Sequence, residues 1–384
     1  MQTRTLILAL LLTACGGSSN PTPGADSGMP VDGSTATDGG VDSGRVDGSG
    51  GDSGGVDSGA PMGDASVDSG ATDSGMAVDS STPPGDARDP GADGPLASTT
   101  SSDSVDDAIG MIDMTILRPD GAGPFPAVLF LHGFQLSPSD YTSYGERLAS
   151  FGYVVVMPHF PGSLLRSPTH AELLTATQHL LDWLESANAA ASGPLSGAVD
   201  LSAIGIAGHS MGGKISFLTA SADARIKAIF GVDAVDAGGG PLGGSATDYP
   251  SVAPERMADI HVPFVSLGET TNGSGGGFDM ACAPSDQNFE QYFAAAASPA
   301  LKIDVLGASH MSFLDNPSCG FTCSACPSGT DDPATSRALA QKYMVAFFER
   351  TLRHDERYAA WLTGAAMAAD VSAGLVTRET SHGF

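Results

Sequence analysis

The chain has 384 residues, of which 44 are Asp or Glu and 17 are Lys or Arg, so its formal net charge is −27. So acidic a composition excludes the basic surface that nucleic-acid-binding proteins usually present. With 41% hydrophobic and 7% aromatic residues, the chain also differs from a membrane-embedded protein. The charge is concentrated, because residues 16–107 hold 17 of the Asp residues, no Glu and only two Arg.

The first 15 residues have the pattern of an export signal. A charged start at Arg4 precedes an apolar run over residues 6–14, which is shorter than the ~20 residues that a membrane-spanning helix needs. Small residues ahead of Cys15 resemble the lipobox of bacterial lipoproteins, which implies lipidation of that cysteine; the alternative is a secretory signal with a chance cysteine. The residue after this cysteine is Gly16, whereas an Asp at that position retains many bacterial lipoproteins at the inner membrane. We therefore expect an exported protein that its lipid holds in the outer membrane.

Residues 16–107 have the composition of a flexible tether. They contain 20 of the 50 Gly, almost no aromatic residues and short repeated Val-Asp-Ser-Gly units. This segment buries too little apolar surface to offset the entropy of ordering it, so we expect it to be disordered. The rest of the chain is long enough for one large domain. We assign that domain to residues 108–354 and a C-terminal helix and tail to residues 355–384.

Short apolar runs alternate with helical segments through residues 108–354. Strands apolar on both faces that alternate with amphipathic helices indicate an α/β fold, in which helices cover both faces of a mostly parallel sheet. The chemistry of such a sheet lies at the carboxyl ends of its strands. Strands are predicted over 112–117, 127–131, 153–157, 203–207, 226–232, 262–267 and 301–306, and helices after Ser137, over 169–190, after Ser210, near Asn288 and over 334–353.

The pattern Gly-x-Ser-x-Gly occurs twice. The copy around Ser53 lies in the repetitive tether with no strands beside it, so it carries little weight. The copy at 208–213, Gly-His-Ser-Met-Gly-Gly, follows a predicted strand and opens a predicted helix, as a nucleophile elbow requires. A serine at so sharp a turn needs neighbours without bulky Cβ groups, and the helix N-terminus directs N–H dipoles at an oxyanion. We predict Ser210 as a nucleophile; the plainer alternative is a glycine-rich turn.

A serine nucleophile needs a base, which in this arrangement follows both the serine and the acid in the chain. Four histidines follow Ser210. His310 comes a few loop residues after the strand at 301–306, at the edge of the sheet where Ser210 is expected. His261 precedes a strand, and His354 and His382 lie in or after the last helix, so we predict His310 as the base.

Three carboxylates follow strand ends and are candidates for the acid. Asp233 directly follows the strand at 226–232, Asp236 comes three residues later, and Glu269 follows the strand at 262–267. Each is equally able to serve as a helix cap or a solvated loop carboxylate. We predict Asp233 as the acid, with Asp236 and then Glu269 as alternatives.

The loop after the strand at 127–131 is the expected source of one oxyanion donor. Phe134 lies in this loop, and its backbone N–H can pair with that of Met211, the residue after the nucleophile. His132 and His209 neighbour these two donors. We interpret both histidines as structural supports of the two turns.

With those residues in place, residues 110–353 resemble the α/β-hydrolase superfamily, and within it the chlorophyllase-like group. This resemblance implies an ester hydrolase with Asp233 as the acid of its catalytic triad. The features that carry it are Leu-His-Gly-Phe at 131–134, Gly-His-Ser at 208–210 with the glycines that follow, Gly-Val-Asp-Ala-Val-Asp at 231–236, Cys-Ala-Pro at 282–284, His-Met at 310–311 and Leu-Asp at 314–315.

The chain is also similar to the bacterial cutinase-like polyester hydrolases. This similarity is stronger at Met211 and in the Asp-Glu-Arg-Tyr run at 355–358. Those enzymes carry their acid after the next strand, where this chain has Glu269. Chlorophyllases usually carry an Arg where this chain has Met211, so the resemblance implies ester hydrolysis without implying chlorophyll as the substrate.

Four cysteines lie in the domain, at 282, 319, 323 and 326. In an exported protein they predict two disulfides, with three possible pairings.

No cluster of His and carboxylates has metal-ligand spacing, and no glycine-rich loop lies in a phosphate-binding context, so we expect neither a metal nor another cofactor. The sequence carries no signal for a particular oligomeric state.

Together these features predict a serine ester hydrolase, tethered to a membrane by a lipid on Cys15, that acts on a small-molecule or polymeric ester through an acyl-enzyme. One alternative is a non-catalytic surface-binding lipoprotein on the same fold. The other is a hydrolase of amides or peptides.

Overall fold

The computed structural model describes residues 87–163, 167–237, 244–275 and 281–384. The predicted signal peptide, Cys15, Ser53 and the tether up to residue 86 lie outside the described residues and stay predictions. None of the helices in the described part of the chain is long and apolar enough to cross a membrane.

Within the described residues, one sheet of nine strands runs in the order β1-β2-β4-β3-β5-β6-β7-β8-β9. Its six central strands, β4, β3 and β5 to β8, are parallel, and the outer strands β1, β2 and β9 pair antiparallel. The strands are β1 (Ser98–Asp107), β2 (Gly110–Pro119), β3 (Phe125–Leu131), β4 (Val154–His159), β5 (Val199–His209), β6 (Ile226–Val232), β7 (Phe264–Gly268), β8 (Ala300–Val305) and β9 (Val376–Ser381).

Helices cover both faces of this sheet, as the sequence predicts. Successive residues of β3 point to opposite faces, so that Val128 packs with α1 and α6 while Leu129 packs with α2 and α3. The helices are α1 (Thr142–Ser150), α2 (His170–Ala189), α3 (Met211–Ala222), α4 (Phe289–Ala294), α5 (Phe321–Ser324), α6 (Pro333–Leu352), α7 (Ala359–Leu362) and α8 (Ala365–Ser372).

Both edges of the sheet differ from the prediction. The tether is predicted to extend over 16–107, but its last ten residues, Ser98–Asp107, form β1 and pair with β2 along the whole length of the strand. The tail predicted over 355–384 contributes β9, which pairs with β8. Backbone hydrogen bonds hold these two edge strands, and most of their side chains remain exposed, so neither strand carries the apolar pattern that reveals a central strand.

Candidate active site

Ser210 lies at the sharp turn between β5 and α3. Its backbone adopts φ 56° and ψ −119°, a left-handed conformation that is strained for a residue with a Cβ atom. The glycines around it are sterically required. A Cβ on Gly208 would lie 2.4 Å from the carbonyl carbon of Gly212, and a Cβ on Gly212 would lie 2.1 Å from the carbonyl oxygen of Leu131. The motif therefore presents the Ser210 hydroxyl at the carboxyl edge of the sheet.

His310 begins a short 3-10 helix after β8 and reaches this hydroxyl. Its Nε2 lies 2.9 Å from Ser210 Oγ. The backbone of His310 is held on both sides: its N–H donates to Asn272 Oδ1 at 2.8 Å, and its carbonyl accepts from His209 Nε2 at 2.9 Å. The imidazole is thus oriented by its main chain as well as by its ring contacts.

Asp233 completes the arrangement from the end of β6. Its Oδ2 lies 2.5 Å from His310 Nδ1, and the side chain is fully buried. Its own backbone has φ 44°, and its N–H donates to the carbonyl of Leu267 on β7 at 2.6 Å. Because the carboxylate accepts from Nδ1–H, it favours the imidazole tautomer whose Nε2 is free to accept the Ser210 proton.

Burial sets the protonation of this pair. Burial lowers the pKa of His310 to about 4, because the charged imidazolium loses its solvation. Burial also raises the pKa of the Asp233 carboxyl, and the backbone N–H of Glu269 opposes that rise. A neutral His310 is the form that can accept a proton from Ser210.

We therefore expect the acid limb of kcat/KM to lie well below the pKa of a free imidazole. Protonation below the lowered pKa of His310 would remove the predicted base, so activity should persist at pH 5.5 and fall as the pH approaches about 4. A kcat/KM profile from pH 4 to pH 8 on a non-ionising ester measures the midpoint.

Glu269→Gln is the control for that profile, because burial raises the pKa of Glu269 to about 7 and makes it, besides His310 and Asp233, a third group near the site that can titrate in this range. The midpoint should be the same in this variant. A wild-type midpoint near pH 7 that disappears in Glu269→Gln would contradict the assignment to His310.

Phe134 and Met211 line one cavity, and Met211 directly follows Ser210 in the chain. Phe134 follows β3 and Met211 is the first residue of α3, so two different turns supply these two backbone N–H groups. Neither N–H donates to another described residue. The cavity has a volume of about 110 Å³, and its other lining side chains include His132, His159 and Phe160.

The structure places the two alternative acids elsewhere. Asp236 forms an ion pair at 2.9 Å with Lys214, a buried residue of α3, and accepts the N–H groups of Val252 and Ala253. The Glu269 carboxylate accepts the N–H groups of Thr271 and Asn272. Neither carboxylate is bonded to His310.

The three other candidates for the base lie at the opposite edge of the sheet, where the parallel strands begin. His354 shares a cavity with Pro263 and Pro299, which precede β7 and β8, and His261 also precedes β7. His382 directly follows β9, whose end pairs with the start of β8. Only His310, among the candidates at and after residue 261, reaches Ser210.

Sequence reasoning missed Asn272, which is fully buried beneath His310. Its Oδ1 accepts the His310 N–H, its Nδ2 donates to the carbonyl of Pro327 at 3.1 Å, and its N–H donates to Glu269 at 2.6 Å. Asn272 belongs to a loop without a motif, and only tertiary contact reveals its role. Among the described residues, no group of three or more His, Cys, Asp or Glu is arranged to hold a metal ion.

The structure pairs the four cysteines of the domain in one of the three possible ways. Cys282 bonds to Cys326, and Cys319 bonds to Cys323. The first bond joins the loop after β7 to the segment after His310, next to the contact between Asn272 and Pro327. It therefore braces the loop that holds the His310 backbone.

Removing the Cys282–Cys326 bond should destabilise the protein more than removing its neighbour. Loop-closure entropy gives about 4 kcal/mol for the sequence separation of 44 residues, against about 2 kcal/mol for the separation of four between Cys319 and Cys323. Urea unfolding of the two double Cys→Ser variants measures the difference. Equal losses, or a larger loss for the Cys319–Cys323 variant, would contradict this ranking.

Known proteins with similar sequences identify the family. The family model described as chlorophyllase matches residues 98–372, which is more than half of the chain. Chlorophyllase type 0 of Chenopodium album is 27% identical over 264 residues, covering 64% of this chain and 72% of that protein. Chlorophyllase-2 of Arabidopsis thaliana is 25% identical over 260 residues (64% and 79%), and chloroplastic chlorophyllase-1 of Citrus sinensis is 28% identical over 245 residues (62% and 71%). The chain belongs to the chlorophyllase family and has its α/β-hydrolase fold.

Proposed function

We propose that this protein is a serine carboxylester hydrolase with Ser210 as nucleophile, His310 as base and Asp233 as the acid that orients it. The observation that carries the proposal is the continuous set of contacts from Ser210 Oγ through His310 to Asp233, at 2.9 Å and 2.5 Å. Membership of a family of ester hydrolases supports the same chemistry. No cofactor takes part.

The reaction proceeds in two halves. Ser210 Oγ attacks the ester carbonyl carbon while its proton passes to His310 Nε2, and the N–H groups of Phe134 and Met211 stabilise the negative charge on the carbonyl oxygen. Collapse of this intermediate breaks the bond to the alkoxy oxygen, which leaves as the alcohol with the proton from His310. Water, deprotonated by His310, then attacks the acyl-enzyme, and the carboxylic acid departs as Ser210 recovers its proton.

The cavity lined by Phe134 and Met211 supports a small acyl or alcohol group in the substrate. Its volume of about 110 Å³ lies below the ~300–1,000 Å³ of pockets that enclose drug-sized ligands. The residue after the nucleophile is Met211, where chlorophyllases usually carry Arg. We therefore propose short-chain esters rather than chlorophyll as the substrate class.

A panel of p-nitrophenyl esters tests this proposal. We expect kcat/KM for the acetate and butyrate to exceed that for the laurate and palmitate by about tenfold or more, because methylenes that the pocket cannot enclose gain little binding energy. The panel also includes a polyester film, an anilide of the same acyl group and a peptide. Faster cleavage of the anilide or peptide would favour an amide hydrolase, and a protein inert to every substrate would favour a non-catalytic binding role.

We further propose that the protein is exported and held at a membrane by a lipid on Cys15, with the acidic segment up to residue 86 as its tether. The two disulfides support export, since structural disulfides persist in oxidising compartments.

A further inference from the structure

His209 precedes the nucleophile and is fully buried between two groups of the site. Its Nε2 lies 2.9 Å from the carbonyl oxygen of His310, and its Nδ1 lies 2.8 Å from the hydroxyl of Tyr141. That hydroxyl also lies 3.2 Å from the backbone nitrogen of Gly133. His209 and Tyr141 therefore connect the loop after β3 to the segment that holds the base.

The chemistry of the partners gives each of these hydrogen bonds one direction. A carbonyl oxygen only accepts, so the proton of neutral His209 lies on Nε2 and its Nδ1 is an acceptor. Tyr141 must then donate its hydroxyl proton to Nδ1, which leaves its oxygen to accept the N–H of Gly133. The bonds run without a break from the Gly133 N–H to the His310 carbonyl.

The two ends of this chain of bonds are the two parts of the site that must be held in register. Gly133 directly precedes Phe134, whose N–H is one of the two oxyanion donors, and His310 is the base. The His209 ring also lies against the His310 ring, with centroids 4.6 Å apart. Burial lowers the pKa of His209 well below its usual value, so the neutral form on which these directions depend is maintained.

We propose that Tyr141 and His209 are positioning residues that fix the loop after β3, which carries Phe134, and the His310 base relative to each other. We call this pair the Tyr141–His209 bridge. The inference rests on the proposed serine hydrolase function, and neither residue touches the substrate. The Tyr141–His209 bridge should affect the turnover of bound ester. A small displacement of groups that act only in the transition state lowers kcat without weakening substrate binding.

Tyr141→Phe tests the bridge by removing one hydroxyl. We expect kcat on a short-chain ester to fall between about 10-fold and 100-fold with KM changed less than about threefold, and the rate constant for fluorophosphonate labelling to fall in parallel. Tyr343→Phe is the matched control, because Tyr343 is equally buried and its hydroxyl donates to Asp370 at 2.7 Å, away from the site. This control should lose stability but keep the wild-type kcat.

His209→Gln is the second variant, and it keeps a side-chain N–H that can donate to the His310 carbonyl while it loses the Nδ1 acceptor. If Tyr141 and His209 act through one chain of bonds, the double variant should be no slower than the slower single variant, because both changes break the same connection. Circular dichroism and thermal unfolding show which variants are folded, and kcat is compared only among those.

Two results separate failure of the bridge from failure of the proposed function. A wild-type protein that neither reacts with a fluorophosphonate nor hydrolyses an ester overturns the function. An active wild type whose folded Tyr141→Phe and His209→Gln variants keep kcat within about twofold overturns the bridge alone. Multiplicative losses in the double variant would likewise refute one connected chain of bonds.

Discussion

Replacing Ser210 with Ala should abolish labelling by a fluorophosphonate probe and lower kcat for a short-chain ester by roughly 10⁶-fold. In the proposed mechanism this hydroxyl attacks the carbonyl, so without it no acyl-enzyme forms and only the oxyanion donors and substrate binding remain to accelerate hydrolysis. Gel fluorescence after labelling and the initial rate on p-nitrophenyl butyrate measure the two losses. The fold should be unaffected, since Ala is smaller than Ser.

Ser53→Ala is the matched control for that experiment. Ser53 has the same Gly-x-Ser-x-Gly surroundings but lies in the predicted tether. This variant should label and turn over as the wild type does. Labelling that survives in Ser210→Ala and disappears in Ser53→Ala would overturn the assignment of the nucleophile.

The second large effect is expected at Asp233. Asp233→Asn should lower kcat by about 10⁴-fold, because an amide in this place no longer favours the Nδ1–H tautomer and no longer stabilises the imidazolium that the proposed mechanism forms at His310. The shape of the side chain is nearly unchanged, so the loss is chemical rather than structural. Steady-state kinetics on the same ester measure it.

Two other carboxylate variants serve as controls for Asp233. Glu269→Gln keeps an oxygen that can accept the N–H groups of Thr271 and Asn272, so its kcat should fall far less. Asp236→Asn leaves buried Lys214 without its charged partner and should cost about 3–5 kcal/mol of stability, with activity retained in the folded fraction. A loss of kcat in either control larger than that in Asp233→Asn would refute the choice of acid.

Much of the sheet could be predicted from local pattern. The central strands are largely buried on both faces, so each contains a short apolar run, and the predicted strand at 226–232 coincides with β6. The capped start of α2 at Thr169 and the Asn288 cap of α4 are also local signals. The edge strands β1 and β9 escaped prediction because pairing partners, not their own side chains, make them strands.

The candidate site likewise contains residues that local pattern predicts and residues that it does not. Ser210 is predictable because a nucleophile elbow needs glycines at fixed offsets, and those glycines are visible in one short motif. Asp233 could only be ranked above Asp236 and Glu269, since all three follow strand ends. Contact decides between them: Asp236 is bonded to Lys214, Glu269 is bonded to backbone N–H groups, and Asp233 is bonded to His310.

By itself, the sequence determined the acidic character of the chain, the α/β alternation of the domain, the elbow at Ser210 and the position of His310 after a strand. These features depend on periodicity and on neighbouring residues, which a linear pattern records. Only the tertiary structure decided the Cys282–Cys326 pairing, the place of Asn272 beneath His310 and the bonds that join Gly133 to His310 through Tyr141 and His209. Each of these joins residues far apart in the chain, and a hydrogen bond or disulfide between them forms only where packing brings the two atoms within bonding distance.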